Sequence, residues 1–372
     1  MLEHDPLASQ TFVGLLADRF GGVRTLIGGG LAMATGGLLF PLANSAPALF
    51  AARALTGFGA SFMYLSIIKE TDRLFAPRHF TVVVGVVLSV GYAGGMAATL
   101  PFERAASGLG WRPCLLAIAG FSFMAVAATG LILRRLGHEK SSTEPLSFRP
   151  LLEVVRNRAC WPLFASGVIM FPVSFMIQTV LGKKFLQDYG GMSSPASATV
   201  ILVMTAVSGL GVILGGLLPQ RLGARRKPGL VFGALMLLAS IGVLFAGILI
   251  HAPGWVYLCG YVIMAAASVG VPCGTATMKD LCRPESVAAG ISVLNGMTYI
   301  ACGTIGQAGG MILDRYRSSA AMTAAGIVYP RAGYIALFAV ISVLAALNLW
   351  FTTRIPETRG QNSYDPLVFD QA

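Results

Sequence analysis

Ten stretches of this chain are each about twenty residues long and nearly free of charge, and that leaves few folds open. They lie at approximately 25–43, 47–68, 80–101, 112–133, 160–182, 196–218, 229–250, 255–278, 286–313 and 331–353. Roughly 20 apolar residues in a helix cross the hydrocarbon layer of a bilayer. A helix also satisfies its own backbone polar groups there, where no water can. Charged residues make up only 12% of the chain, against about 25% in soluble domains, and mean hydropathy is +0.72. The expected fold is all-α, a polytopic membrane bundle of ten full transmembrane helices plus a partial N-terminal one. The partial one is a stub from about Leu7 to Ala17, too short to cross alone.

A net charge of +11 invites a nucleic-acid reading, which needs a basic face on a soluble fold. The basic residues instead sit in short clusters between the apolar runs, so no nucleic acid is expected and the lipid bilayer is. Cytoplasmic loops retain Lys and Arg. Alternate connections from the Asp18 loop onward hold 19 basic residues on one side and 7 on the other. That bias places the Asp18 loop, the long 134–159 connection and the C-terminus in the cytoplasm. Ser141, Ser142 and Pro145 mark the centre of the 134–159 connection as the most polar in the chain. Met1 to Gln10 shows no basic or apolar region of a cleavable signal. Cys114, Cys160, Cys259, Cys273, Cys282 and Cys302 form no C-x-x-C pair, and the four histidines are scattered. Neither a metal site nor any cofactor is expected.

The chain repeats itself. Gly14-Leu15-Leu16-Ala17-Asp18-Arg19-Phe20-Gly21-Gly22-Val23-Arg24 returns 202 residues later as Gly216-Leu217-Leu218-Pro219-Gln220-Arg221-Leu222-Gly223-Ala224-Arg225-Arg226. Lys69-Glu70, with Arg73 after it, returns as Lys279-Asp280 with Arg283. Gly85 and Gly91 match Gly290 and Gly296, and Gly94-Gly95-Met96 matches Gly309-Gly310-Met311. Repeats at half-chain distance in a hydrophobic sequence point to a duplicated bundle. The implied organisation is an N-terminal half-bundle over 1–135, a cytoplasmic linker over 136–158, a C-terminal half-bundle over 159–355 and a tail over 356–372.

The first copy resembles the G-x-L-x-D-R-x-G loop of the major facilitator superfamily of transporters. The second copy is degenerate, with Gln220 where the acid stands. The resemblance implies that Gly14, Asp18, Arg19, Gly21 and Arg24, with Arg221 and Gly223, form a conformational latch between two halves. It also implies that the family's first helix is missing here and its second is partial. Physically, a carboxylate at Asp18 suits the positive end of a helix, and Pro284-Glu285-Ser286 marks such a start on the same side. A plain charged turn that only sets topology is the alternative.

Arg53 is the one charged residue deep within a span. An unpaired arginine in hydrocarbon costs ~2.5–3.5 kcal/mol on insertion scales, so it should face an interior or a watery cavity. Arg53, Gly57 and Gly59 resemble the family's R-x-x-x-G-x-G pattern, which implies a role in coupling. Outward snorkelling is the other reading. No Asp or Glu lies mid-span, which disfavours proton coupling and cationic solutes for this chain.

Tyr64, Tyr92, Gln178, Thr205, Tyr261, Asn295, Tyr299 and Gln307 are polar or aromatic residues placed to line a central cavity. Tyr92, Gln178, Asn295 and Tyr299 are the expected solute contacts, since buried amides and phenols need hydrogen-bond partners. Interhelical hydrogen bonding competes for each. Gly91 to Gly95, Gly211 to Gly215 and Gly306 to Gly310 have G-x-x-x-G spacing and read as close helix packing. Gly94-Gly95 lacks the proline of the family's antiporter motif, so antiport is not inferred. The expected function is secondary active or facilitative transport of a small anionic or neutral polar solute by a monomer, without enzymatic activity, in a bacterial inner membrane. A non-transporting truncated relative or receptor-like protein is the alternative.

Overall fold

A computed structural model describes residues 22–76, 79–135, 149–323 and 326–364. The helices in chain order are α1 Gly22–Leu42, α2 Ala46–Leu74, α3 Phe80–Ala97, α4 Leu100–Leu109, α5 Trp111–Arg135, α6 Arg149–Arg156 and α7 Trp161–Phe175. They continue as α8 Gly182–Asp188, α9 Ser194–Arg221, α10 Lys227–Ile250, α11 Gly254–Ala266, α12 Gly270–Leu281, α13 Val287–Asp314 and α14 Arg331–Thr353. Strands β1 Ala321–Thr323 and β2 Gly326–Val328 pair antiparallel between α13 and α14. Among the described residues ten helical runs are long and apolar enough to cross a membrane, from Gly22–Leu42 to Arg331–Thr353.

The ends of these helices follow local chemistry. Ser45 and Ser193 cap α2 and α9, each Oγ accepting from the backbone N–H three residues on at 3.4 Å, with a proline in the first turn of each helix. Such caps and prolines suit the N–H groups that a first turn leaves unpaired. Three runs that read as continuous in the sequence are interrupted. The first is broken by the turn at 98–99 between α3 and α4. The second passes from α7 through a π-helical turn, Met176–Val180, into α8. Pro172 lies inside α7, where its ring and missing N–H disturb the ladder. The wide turn is closed by the Leu181 N–H donating to the Met176 carbonyl at 2.9 Å. The third passes from α11 through a 3₁₀ turn, Ala267–Val269, into α12.

Two compact units divide the residues. One comprises Met1–Phe80, Pro101–Arg156 and Cys282–Gly296; the other comprises Thr81–Leu100, Asn157–Leu281 and Met297–Ala372. In the first, Val23, Leu26 and Leu133 form a core with Ile27, Met63 and Ile67 against it. There α1 and α2 come so close that a methyl group on Gly59 would lie 2.2 Å from the Met33 nitrogen. In the second, Val173, Met176, Phe185, Leu237, Tyr261 and Tyr334 belong to one large apolar core.

The G-x-x-x-G reading holds only in part. A methyl on Gly215 would lie 2.0 Å from the Val269 carbonyl, and one on Gly211 would lie 2.1 Å from Ser268 Oγ. This pair therefore seats α9 against the break between α11 and α12. Among the described residues a methyl on Gly91, Gly94, Gly306 or Gly310 would meet no atom within 4 Å, so none of them packs on those four glycines. A residue without a side chain gives the same spacing beside a helix and beside open space.

Candidate functional site

Two groups of side chains in the second unit can carry function, one where helices end and one mid-helix. The first is centred on Arg226. Its local fold is a tight turn after α9 with Gly223 and Ala224 both left-handed, at φ 64° and φ 61°. The second is unusual for a residue with a Cβ, since that conformation costs about 1–2 kcal/mol. The Ala224 N–H donates to the Pro219 carbonyl at 2.7 Å, which holds the turn. Arg226 follows as a buried residue. Its Nε lies 2.6 Å from Asp280 Oδ2, an ion pair whose angle falls short of a hydrogen bond. One terminal nitrogen donates to Asp280 Oδ1 at 3.3 Å and the other to Thr81 Oγ1 at 2.7 Å.

The segment Pro356–Gly360 closes over this pair. Thr358 Oγ1 donates to Asp280 Oδ2 at 2.6 Å. Glu357 accepts from the Arg226 and Arg359 N–H groups on one oxygen, at 2.9 and 3.1 Å, and from the Lys227 N–H on the other, at 3.1 Å. A carboxylate so placed caps the positive start of α10. Burial works to raise the Glu357 carboxyl, and the backbone donors of Arg226, Arg359, Lys227 and Thr358 outweigh it, holding the group below the ordinary glutamate value.

The latch residues Gly14, Asp18, Arg19 and Gly21 lie outside the described residues. Arg24 is exposed and engaged in an interaction, while Arg221 is exposed and Gly223 supplies the left-handed turn. The charge that makes contacts in the second copy is Arg226, which the sequence reading passed over; its match to Arg24 in the 202-residue repeat was the available signal. Glu70, the repeat partner of Asp280, is likewise buried, at 5% exposure in the first unit. Arg73 holds it through Nε at 2.8 Å and a terminal nitrogen at 2.7 Å. The helix start at Pro284–Ser286 does have a carboxylate beside it in that unit, and among the described residues it is Glu153 of α6. Ser286 Oγ donates to Glu153 Oε2 at 3.4 Å, and Arg283 lies 3.8 Å from Oε1.

The second group is uncharged. Gln178 sits in the π-helical turn, and its Nε2 donates to Thr205 Oγ1 at 2.9 Å, while Thr205 donates in turn to the Ile201 carbonyl at 2.7 Å. Such turns widen a helix and expose its polar groups. On α3, Gly95 faces Thr205, and Tyr92 packs beside Gly209 of α9. Tyr299 of α13 is 49% exposed, and its ring meets Phe171 of α7 edge-on at 6.0 Å. The Tyr92 and Tyr299 phenols lie in the same neighbourhood. Three of the four expected solute contacts thus fall in one neighbourhood of one unit. Asn295 is half-buried in the other unit.

The remaining candidates separate by environment. Tyr261 is fully buried and donates to the Gly182 carbonyl at 3.0 Å, which makes it a packing residue. The small apolar crevice beside it, lined by Met176, Ile177, Leu181, Phe185 and Leu337 among others, has room for about one water. Arg53 is exposed on α2. Of its motif partners, Gly57 faces open space and Gly59 packs on α1. Among the described residues no cluster of three or more His, Cys, Asp or Glu could hold a metal ion.

The sequence model of the Major Facilitator Superfamily matches residues 6–306 of the chain. No curated protein matches it in sequence. The fold is similar to that of the proton:xylose symporter XylE bound to 6-bromo-6-deoxy-D-glucose, at 15% identity and a TM-score of 0.70, covering 96% of this chain and 86% of that one. It is also similar to the E. coli fucose:proton symporter FucP, at 15% identity and a TM-score of 0.68, covering 94% and 88%.

Proposed function

Because the chain belongs to the major facilitator superfamily, and is therefore a multi-pass secondary transporter, we propose that its cargo is a small, uncharged polar solute of the sugar type. The observation that carries this is the chemistry around the π turn. Gln178, Thr205, Tyr92 and Tyr299 offer amide and hydroxyl groups, Phe171 offers an aromatic face, and no charged side chain is among them. Such a set suits a polyhydroxylated ring, whose hydroxyls both donate and accept and whose carbon face stacks on aromatic rings. An anion would require a cationic partner in a dry site, so the neutral half of the anionic-or-neutral expectation is favoured. The sugar symporters that share the fold support the same reading.

On this reading the solute binds near the midplane between two helical halves, divided by the 136–158 linker, and is exposed to each side in turn. The protein works as a monomer in a bacterial inner membrane with its C-terminus in the cytoplasm, as the basic-residue bias supports. Uptake of labelled D-xylose and L-fucose into proteoliposomes tests the assignment. Saturable uptake of either, with KM raised at least tenfold by Gln178→Ala, is the expected result. Uptake of gluconate with neither sugar transported would show an anionic cargo, and sugar binding without uptake would favour the receptor-like alternative.

A further inference from the structure

Lys183 and Lys184 are among the 7 basic residues of the less basic side, and the chain is helical from Gly182 through Asp188. The Asp188 side chain is only 4% exposed, and its Oδ1 lies 2.6 Å from Lys184 Nζ. Its Oδ2 accepts from the Tyr334 hydroxyl at 3.0 Å and from the Tyr329 N–H at 3.3 Å. Lys184 Nζ donates further to the Ile327 carbonyl of β2, and the Tyr329 hydroxyl donates to Asp314 Oδ1 at 2.8 Å. One buried carboxylate therefore ties α8 to the β hairpin and to the start of α14. Beneath it, Phe185 packs on Tyr257, Tyr334 and Phe338, with ring centres 5.1 to 5.4 Å apart.

The inner end of α8 is held differently. Gly182 approaches the preceding turn so closely that a methyl there would lie 1.7 Å from the Ile177 carbonyl. Tyr261 reaches the Gly182 carbonyl, and one π-type bond from Leu181 to Met176 closes the turn. The turn carries Gln178 at its middle. A π turn is wider than the α-helix around it and is the natural place for a helix to rewind. The direction of Gln178 therefore depends on how α8 is set, and α8 is set at its outer end by a charge.

We propose that Asp188 is a positioning residue for the solute site, and that its clasp with Lys184, Tyr334 and Tyr329 sets α8 and so aims Gln178 from the π turn. The proposal rests on the reading of Gln178 as a solute contact, yet its main test needs no solute. Hydrogen exchange is followed by mass spectrometry on the full chain in lipid nanodiscs for the parent, Asp188→Asn and Asp188→Glu. Asp188→Asn keeps the shape but loses the charge that Lys184 requires. It is expected to speed exchange at least tenfold in peptides spanning 176–190 and 326–330, with α9 and α10 peptides unchanged and Asp188→Glu restoring part of the protection. Unchanged exchange at 176–190, or a rise spread evenly over the chain, would overturn the clasp. In D-xylose uptake, Asp188→Asn is expected to raise KM with kcat kept, and to add nothing to KM in a Gln178→Ala background. If Gln178→Ala leaves uptake unaltered while the exchange result holds, the solute assignment fails and the clasp on α8 stands. Additive effects of the two substitutions on KM would refute the link between Asp188 and Gln178.

Discussion

Replacing Arg226 with methionine takes away one partner of a buried ion pair and leaves the other in place. Asp280 is 6% exposed and among the described residues would keep the Thr358 hydroxyl on its carboxylate and the neighbouring Lys279 in sequence. Methionine fills much of the same volume, so little of the effect comes from a cavity. Stranding one member of such a pair costs about 3–5 kcal/mol. The lost bond to Thr81 Oγ1 adds about 1 kcal/mol. Screening reduces this little, because the two side chains are 9% and 7% exposed. For a chain of this length about 2 °C of Tm per kcal/mol is the scale, so a fall on the order of 8–12 °C is expected for Arg226→Met in detergent. Thermal unfolding followed by tryptophan fluorescence measures it. Adding Asp280→Asn to Arg226→Met removes the stranded charge and should recover part of the loss, a coupling that distant sites lack. A fall under about 1 °C, or a double variant less stable than Arg226→Met, would refute the reasoning.

Three further outcomes follow from the same structure. Glu357 is held below the ordinary glutamate value in the folded protein. Its contribution to stability is therefore complete above the unfolded value of about 4.3 and is lost as pH falls through the lower folded value; Glu357→Gln should flatten the acid limb of a Tm-against-pH curve. Gly59→Ala should sharply reduce the yield of folded protein in size-exclusion runs, since its methyl would strike the α1 backbone, while Gly57→Ala, which faces open space, should leave the yield near that of the parent. A Ser142→Cys variant should stay silent to a membrane-impermeant maleimide added outside intact cells, and Ser45→Cys and Ser193→Cys should react above the parent's background; the opposite pattern would invert the topology.

The spans were legible in the chain because crossing a bilayer depends on summed hydropathy over about twenty residues, a property no distant residue alters. Ten runs read from composition reappear as ten helical runs, with ends shifted by a few residues where caps and turns act. The repeats were legible as well, since a duplicated loop keeps its residue order. The family resemblance seen in Gly14 to Arg24 is matched by the sequence model over 6–306. Pairings across the bundle were not legible. Arg226 meets Asp280 and Thr81, 54 and 145 residues away, and nothing local in any of these residues names its partner. Nothing in the sequence marks Asp188 as buried, because an acid after two lysines has the same composition in water and under a hairpin; in the fold, residues 329 and 334 come back over α8 to meet it. The π turn escaped too, since Pro172 announces a disturbed ladder but not whether the helix kinks, ends or widens. Local solvation chose which segments are helices. The packing of residues remote in the chain decided which charges are buried, which glycines touch a neighbour and where Gln178 sits.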